Sequence, residues 1–546
     1  MTGLGEAFER IGSFLEHRMP LLHAPGAVLV VTDREETLGV VVRGFADVAA
    51  GVPVRPETRF EIGSISKSFA AIVALQEVEA GRLDLHAPIA ELLPWLDLPQ
   101  PFGPITPHHL LTHTSGLAIG TEESPTGPGA LWILRRVPPT FPPGERFHYS
   151  NDGYKLLGAI LERVTGRSVP DLLRERIFEP LGMSATEGRI TNATRRDIAV
   201  AYQTIFDDRP PQRHHELVPA PWTVSETADG AIVSNVIDMA AYVRLLLNRG
   251  ATPDGTRIVS DGSFAALTSP FVPEPEEERE VPGHYGYGLS MGHRDGRPIV
   301  THSGGMVGYT ALLMLEPEDG IGCVMLLNGD GDRIQTVRYA LDAVRAAIRG
   351  EALPEVTHPP DPASVDDAAD YAGTFHVDGR EVDIEARGEG LVFVDGAVEA
   401  QLEREPLADH RYRDRFLVVH PDLERHPIAF ERGPDGRVRA ATHGPRRLTR
   451  DGTAADAIDA RSPDVEGVYR SNDAWAPLMR VYRRTERLYL AWPLDGEEHE
   501  LTSLDDRWFA VGDPALPRRI RFHTDADGRA VVAEFNGGRW YRSDEE

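Results

Sequence analysis

The chain has 546 residues, 41% hydrophobic and 26% charged, which is the composition of globular protein and too long for one ordinary core. A formal net charge of −28 works against a phosphate-backbone or anionic-membrane partner, so neither nucleic acid nor membrane is expected. The single cysteine, Cys323, precludes an internal disulfide, and no run approaches the roughly 18 unbroken apolar residues of a membrane-spanning helix.

In chain order, the opening MTGLGEAFERIGSFLEHRM mixes acids into an amphipathic pattern. It lacks the basic start and apolar run of a secretory leader, so a cytoplasmic location is expected. Apolar runs at 27–31 and 39–43 read as strands. Helical periodicity comes next at 66–80, 154–164 and 236–247, then strands at 309–315 and 322–327, then a helix over 333–348. Cys323 sits in the second of these late strands, GIGCVMLLNG, as a buried residue rather than a reactive thiol. Strands at both ends with helices between predict an α+β domain over 1–352, in which one sheet joins the two ends.

A stretch at 353–368, rich in proline and acid, reads as a linker. Beyond it the pattern changes to short alternating runs such as EVDIEA, GLVFV, RLYLA and AVVAEF, which are strand signals. This tail repeats. Asp435-Gly436-Arg437 and Asp527-Gly528-Arg529 lie 92 residues apart, as do Asp414-Arg415-Phe416 and Asp506-Arg507-Trp508. Two small antiparallel β-barrels are therefore expected, over 369–452 and 463–546.

Only two lysines, Lys67 and Lys155, stand among 57 basic residues. Arginine serves wherever only positive charge is needed, so a retained lysine points to a role arginine cannot fill, such as giving up its proton to act as a base. In EIGSISKSFAAIVALQ, Gly63 permits a sharp turn and Ile65, Phe69, Ile72 and Val73 set a helical stripe, with Ser64 at the helix start. Ser64 and Lys67, three apart, share one helix face within hydrogen-bond reach. A serine hydroxyl needs such a base to become a nucleophile, and the positive helix start favours developing oxyanion charge. Lys155 shows no comparable sequence neighbour and reads as a helix-surface residue.

Two further segments fit the same chemistry. FHYSNDGYKLLG places Tyr149 and Asn151 before a helix, where a phenol can relay a proton and an amide can hold both lysine and substrate. PIVTHSGGMVGYT sets His302, Gly304 and Gly305 at an apolar strand, where paired glycines admit a ligand and a strand N–H can complete an oxyanion hole with that of Ser64. Metal chemistry finds little support: His214-His215-Glu216 does not form H-E-x-x-H, and His109 and His113, four apart and so able to share a helix face, lack a third ligand. The acidic run EPEEERE at 274–280 reads as a solvated loop, with a contact to a substrate's amino group as the lesser alternative.

GSISK, YSN and HSGG, in this order and spacing, together with HHLLTHTSGL, resemble the serine β-lactamase and penicillin-binding-protein superfamily over roughly residues 10–350. The similarity is to its branch of class C β-lactamases, β-lactamase-like esterases and D-aminopeptidases. The resemblance implies Ser64 as nucleophile, Lys67 as base and Tyr149 as second proton relay. It implies Asn151 as orienting group, His302 as substrate contact and Gly305 as second oxyanion donor beside Gly304. It further implies that the tail barrels are lipocalin-like. One departure matters: His302 stands where penicillin-recognising members carry lysine, and a mostly neutral imidazole is a poorer anchor for a carboxylate. The expected function is a serine hydrolase working through an acyl-enzyme on small esters or amides, without metal or organic cofactor. A D-stereospecific aminopeptidase or amidase, an acyltransferase, a β-lactamase and a non-catalytic scaffold stay open as alternatives. Self-association, as a homo-oligomer, stays open as well.

Overall fold

The computed structural model describes residues 2–120, 127–275, 283–331, 333–405, 413–450, 464–505 and 507–544. The chain divides into two units: Met1–Gln203 with Leu217–His358 and Ala515–Pro517, and Thr204–Glu216 with Pro359–Pro514 and Arg518–Glu546. The contiguous segments read from sequence thus exchange two short pieces.

In the first unit, nine strands among the described residues form one antiparallel sheet. They are β1 (Gly26–Thr32), β2 (Thr37–Asp47), β3 (Val52–Pro53), β4 (Val272–Pro273), β5 (Gly283–Tyr285), β6 (Ser290–Arg294), β7 (Arg297–Met306), β8 (Tyr309–Glu316) and β9 (Ile321–Leu327), in the order β3-β2-β1-β9-β8-β7-β6-β5-β4. The early and late strands meet as expected: β1 pairs β9 with Ala27 opposite Leu327 and Val31 opposite Cys323. Both are buried along their whole length, which is why they read as unbroken apolar runs rather than alternating ones. Burial raises the Cys323 thiol well above its usual value, so it stays protonated and inert.

Helices α1 (Thr2–Arg18) and α5 (Arg333–Arg349) pack against each other and the sheet, with Phe14 stacked on Tyr339 at 4.0 Å between centroids. α4 (Val236–Leu247) covers β1 and β9, where Val28, Val30, Val324 and Leu326 share a core with Met239, Ala240 and Val243. That core continues into α2 (Ser66–Glu79). The stripe expected for an amphipathic α2 is not the whole account: every residue from Ser66 to Leu75 is buried, because the helix threads the centre of the domain. α3 (Asn151–Thr165) is amphipathic, starts on a Ser150 cap whose Oγ accepts the Gly153 N–H at 3.0 Å, and stops at left-handed Gly166.

In the second unit, two sets of eight strands among the described residues close into antiparallel barrels. The first runs from Gly373–Val377 to Arg446–Thr449, the second from Gly467–Arg470 to Gly538–Arg542. Alternate residues turn inward, as the strand period requires: Phe375, Phe393, Phe416 and Phe430 fill one interior, Phe509, Phe522 and Trp540 the other. The 92-residue repeat has a structural counterpart. Asp435-Gly436-Arg437 and Asp527-Gly528-Arg529 both form the turn between the sixth and seventh strands of their barrels, and the fifth strands open at Arg415 and Trp508, one residue off the same spacing. Asp506 lies outside the described residues.

Candidate active site

The nucleophile turn is built by steric exclusion. Gly63 has φ +52°, and a Cβ there would lie 2.6 Å from the Gly305 nitrogen; a Cβ on Gly304 would lie 1.9 Å from the Ile62 oxygen. Only glycine lets this end of β7 press against the turn. Pairing between β6 and β7 ends at Thr301, whereas β8 continues opposite His302 to Met306. The other edge of those five residues therefore faces the Gly63–Ile65 turn, which is a 3₁₀ segment leading into α2.

Lys67 is fully buried. Its Nζ lies 2.9 Å from Ser64 Oγ, 2.8 Å from Asn151 Oδ1 and 2.8 Å from the Asp229 carbonyl oxygen. None of these three groups carries a formal charge. The amide and carbonyl oxygens can only accept, so they take two N–H bonds from the amine, and the third direction points at a hydroxyl that can itself donate. In its neutral form the amine can keep these two N–H bonds and turn its lone pair to Ser64. The Tyr149 ring centroid lies 4.9 Å from Nζ. Asn151 owes its position to Ser150, whose cap starts α3 and whose Oγ donates to the Ala118 carbonyl at 2.6 Å.

The structure thus brings Ser64, Lys67, Tyr149 and Asn151 together and sets the Gly304-Gly305 backbone against the serine turn. His302 begins the segment of β7 that faces the serine turn, and its side chain is buried. The imidazole is 2% exposed; Nδ1 donates to the Ser303 carbonyl at 2.6 Å, leaving Nε2 to accept from the Tyr285 hydroxyl at 2.9 Å. Both ring nitrogens thus have protein partners. Sequence reading missed the Asp229 carbonyl, because a backbone oxygen leaves no residue-type signal.

Lys155 is also corrected. It is not a surface residue but buried, with Nζ 3.4 Å from Asp152 Oδ1, and both side chains are 3% exposed or less. The spacing of three that pairs Ser64 with Lys67 here pairs a carboxylate with lysine. Glu274 likewise departs from the solvated-loop reading: it is 5% exposed and accepts from Ser290 Oγ at 3.1 Å, while residues 276–280 of that run lie outside the described residues. His109 and His113 do not share a helix face, since the helix Pro107–Leu111 ends between them.

Among the described residues one group of metal-type donors converges, His214, His215 and Glu424 in the second unit. Its hydrogen bonding does not suit a metal. His215 Nδ1 accepts the Gln212 N–H at 3.2 Å, so the ring proton sits on Nε2 and is given to Glu424 Oε2 at 3.3 Å. Arg209 already takes the other carboxylate oxygen at 2.5 Å. Burial holds His215 below its usual value, with Glu424 opposing that shift.

A family model described as Beta-lactamase matches residues 13–347, more than half of the chain. The chain belongs to the beta-lactamase family. Ser64, Lys67, Tyr149, Asn151 and His302 all fall inside the matched span, and both barrels fall outside it. Among relatives in this family, penicillin-binding protein 4 of Amycolatopsis lactamdurans is 30% identical over 370 residues, covering 65% of this chain and 94% of that protein. Among solved structures, the octameric penicillin-binding protein homologue from Pyrococcus abyssi matches with TM-score 0.58 at 26% identity, over 81% of this chain and 99% of its own. The D-amino acid amidase from Ochrobactrum anthropi SV3 matches with TM-score 0.51 at 25% identity, over 63% and 98%. No helix among the described residues of this family member is long and apolar enough to cross a membrane.

Proposed function

We propose that this member of the beta-lactamase family is a serine hydrolase that acts on small esters or amides through a covalent acyl-enzyme. The observation that carries the reading is the Lys67 amine, fully buried, 2.9 Å from Ser64 Oγ, with two acceptor-only groups on its remaining bonds. Ser64 Oγ attacks the substrate carbonyl carbon and passes its proton to Lys67 Nζ. The carbonyl oxygen takes the negative charge, facing the backbone N–H groups of Ser64 and Gly305. When the tetrahedral centre collapses, the bond to the leaving oxygen or nitrogen breaks, and that atom receives the proton from Lys67 by way of the Tyr149 phenol. Water then attacks the acyl carbon and gives a proton to Lys67 Nζ, and Ser64 Oγ departs with a proton taken directly from that amine 2.9 Å away, which restores Ser64. Asn151 holds the amine and contacts the acyl group.

Amides carrying a D-residue are the favoured substrates among amides, a reading supported by the similarity to the D-amino acid amidase. β-Lactams are disfavoured, because the mostly neutral imidazole of His302 is a poorer anchor for their carboxylate. The similarity to an octameric homologue supports self-association.

A fluorophosphonate reagent tests the nucleophile. Stoichiometric labelling of the wild type and none of Ser64→Ala is expected; labelling that survives in the variant would overturn the assignment. A panel of p-nitrophenyl esters, D- and L-amino-acid p-nitroanilides and nitrocefin then ranks substrates, with turnover expected for the first two classes.

A further inference from the structure

We infer that His113 is a positioning residue for Tyr149, one side chain and one peptide group that together hold the tyrosine from both flanks and from its ring face. The inference rests on the reading of Tyr149 as proton relay. The His113 carbonyl accepts the N–H of His148 at 2.8 Å, and its Nδ1 accepts the N–H of Ser150 at 3.0 Å. These are the residues immediately before and after Tyr149. The imidazole also lies against the Tyr149 ring, 4.2 Å between centroids with the planes 34° apart. Fixing the peptide groups on both sides of a residue fixes the direction of its Cα–Cβ bond, and the ring contact fixes the side-chain torsions beyond that bond.

His113 is itself immobilised. It is 0% exposed, and its ring is enclosed by Tyr285, Tyr154 and Phe147 at 4.8, 5.1 and 5.7 Å between centroids. Its backbone has φ +56°, in the left-handed region, where a Cβ crowds the following carbonyl oxygen. Histidine tolerates that region better than most side chains. The strain is retained where it places carbonyl and imidazole on opposite flanks of Tyr149, and a helical residue at 113 would present neither. Accepting through Nδ1 leaves the ring proton on Nε2, so the neutral imidazole is the form that holds Ser150.

The functional consequence depends on the leaving group. An alkoxide or amine needs a proton to depart, which makes Tyr149 indispensable; p-nitrophenolate leaves without one. A displaced Tyr149 therefore slows the first kind of substrate and spares the second. A fault of general folding slows both.

The test uses one acyl group, whichever the wild type turns over fastest, as its ethyl and p-nitrophenyl esters, with rates expressed per fluorophosphonate-labelled Ser64. His113→Gly adopts the left-handed backbone freely and deletes the ring and its acceptor. Ethyl-ester turnover is expected to fall about 10²-fold, the typical cost of roughly 1 Å of misplacement, and p-nitrophenyl-ester turnover by less than about threefold. His113→Asn keeps both the backbone preference and an oxygen for the Ser150 N–H, and is expected to recover about tenfold of the loss. Tyr149→Phe runs beside them. Equal losses on both esters in His113→Gly, with a selective loss in Tyr149→Phe, would overturn the positioning role alone. A Tyr149→Phe enzyme without selectivity would overturn the relay reading and this inference with it.

Discussion

The two lysines of the chain stand in matching local settings. Each lies near the start of a helix, three residues after a polar partner, and each is buried, Lys67 at 0% exposure and Lys155 at 4%. Their partners differ. Lys67 meets a hydroxyl, an amide oxygen and a backbone carbonyl, so none of these groups loses a countercharge if the amine is neutral. Lys155 meets the carboxylate of Asp152, buried with it, and that pairing favours the ammonium. Burial alone therefore does not make a base. The two sites share a spacing and differ in the charge of the neighbour.

Substitution by arginine is the most forceful way to break this comparison. Lys67→Arg puts a permanently protonated guanidinium in place of the base, so turnover on p-nitrophenyl esters is expected to fall about 10⁴-fold while the circular dichroism spectrum keeps its folded form. Near-native turnover would make Lys67 a structural cation like its counterpart. At the second site the loss is expected in stability instead. Lys155→Met takes the ammonium away from the buried Asp152 carboxylate, which costs about 3–5 kcal/mol when a buried pair is broken from one side. Urea unfolding should show that loss, while turnover per labelled Ser64 stays within about threefold; a selective loss of turnover would place Lys155 in the chemistry.

A third measurement sharpens the point with a carboxyl group shifted by burial rather than by a neighbouring charge. Glu61, three residues before Ser64, is 3% exposed, and burial raises its value from the usual carboxylate range to about 8. The folded state therefore holds this proton between about pH 4.5 and 8, where the unfolded chain has released it. Stability contributed by the neutral carboxyl is complete below pH 4.5 and is lost as pH rises through 8, by an amount on the order of a few kcal/mol. Glu61→Gln should flatten that decline in unfolding midpoints measured across pH 5–9. A decline of the same slope in the variant would assign it to other groups.

Much of the molecule was legible in the sequence, and for a shared reason. Strands β1 and β9 were visible because burial on both faces demands unbroken apolar runs. The barrels were visible because side chains alternate across a strand and because the same turn recurs after 92 residues. Ser64 and Lys67 were visible as a pair because a spacing of three on a helix fixes their neighbourhood before any tertiary contact forms. The all-round burial of α2 was hidden, since a helix threading a core carries a stripe and more, and composition does not say what covers the other faces.

Local period thus determined which residues stand side by side along a helix or strand, including the hydroxyl and the amine. Only the closed fold decided what meets that amine from 84 and 162 residues away, Asn151 and the Asp229 carbonyl, and that the imidazole of His302 meets Tyr285. Backbone geometry propagates order over a few residues, whereas contacts across such separations exist only once a sheet and its helices have packed. It is those contacts that decide which partners each lysine meets.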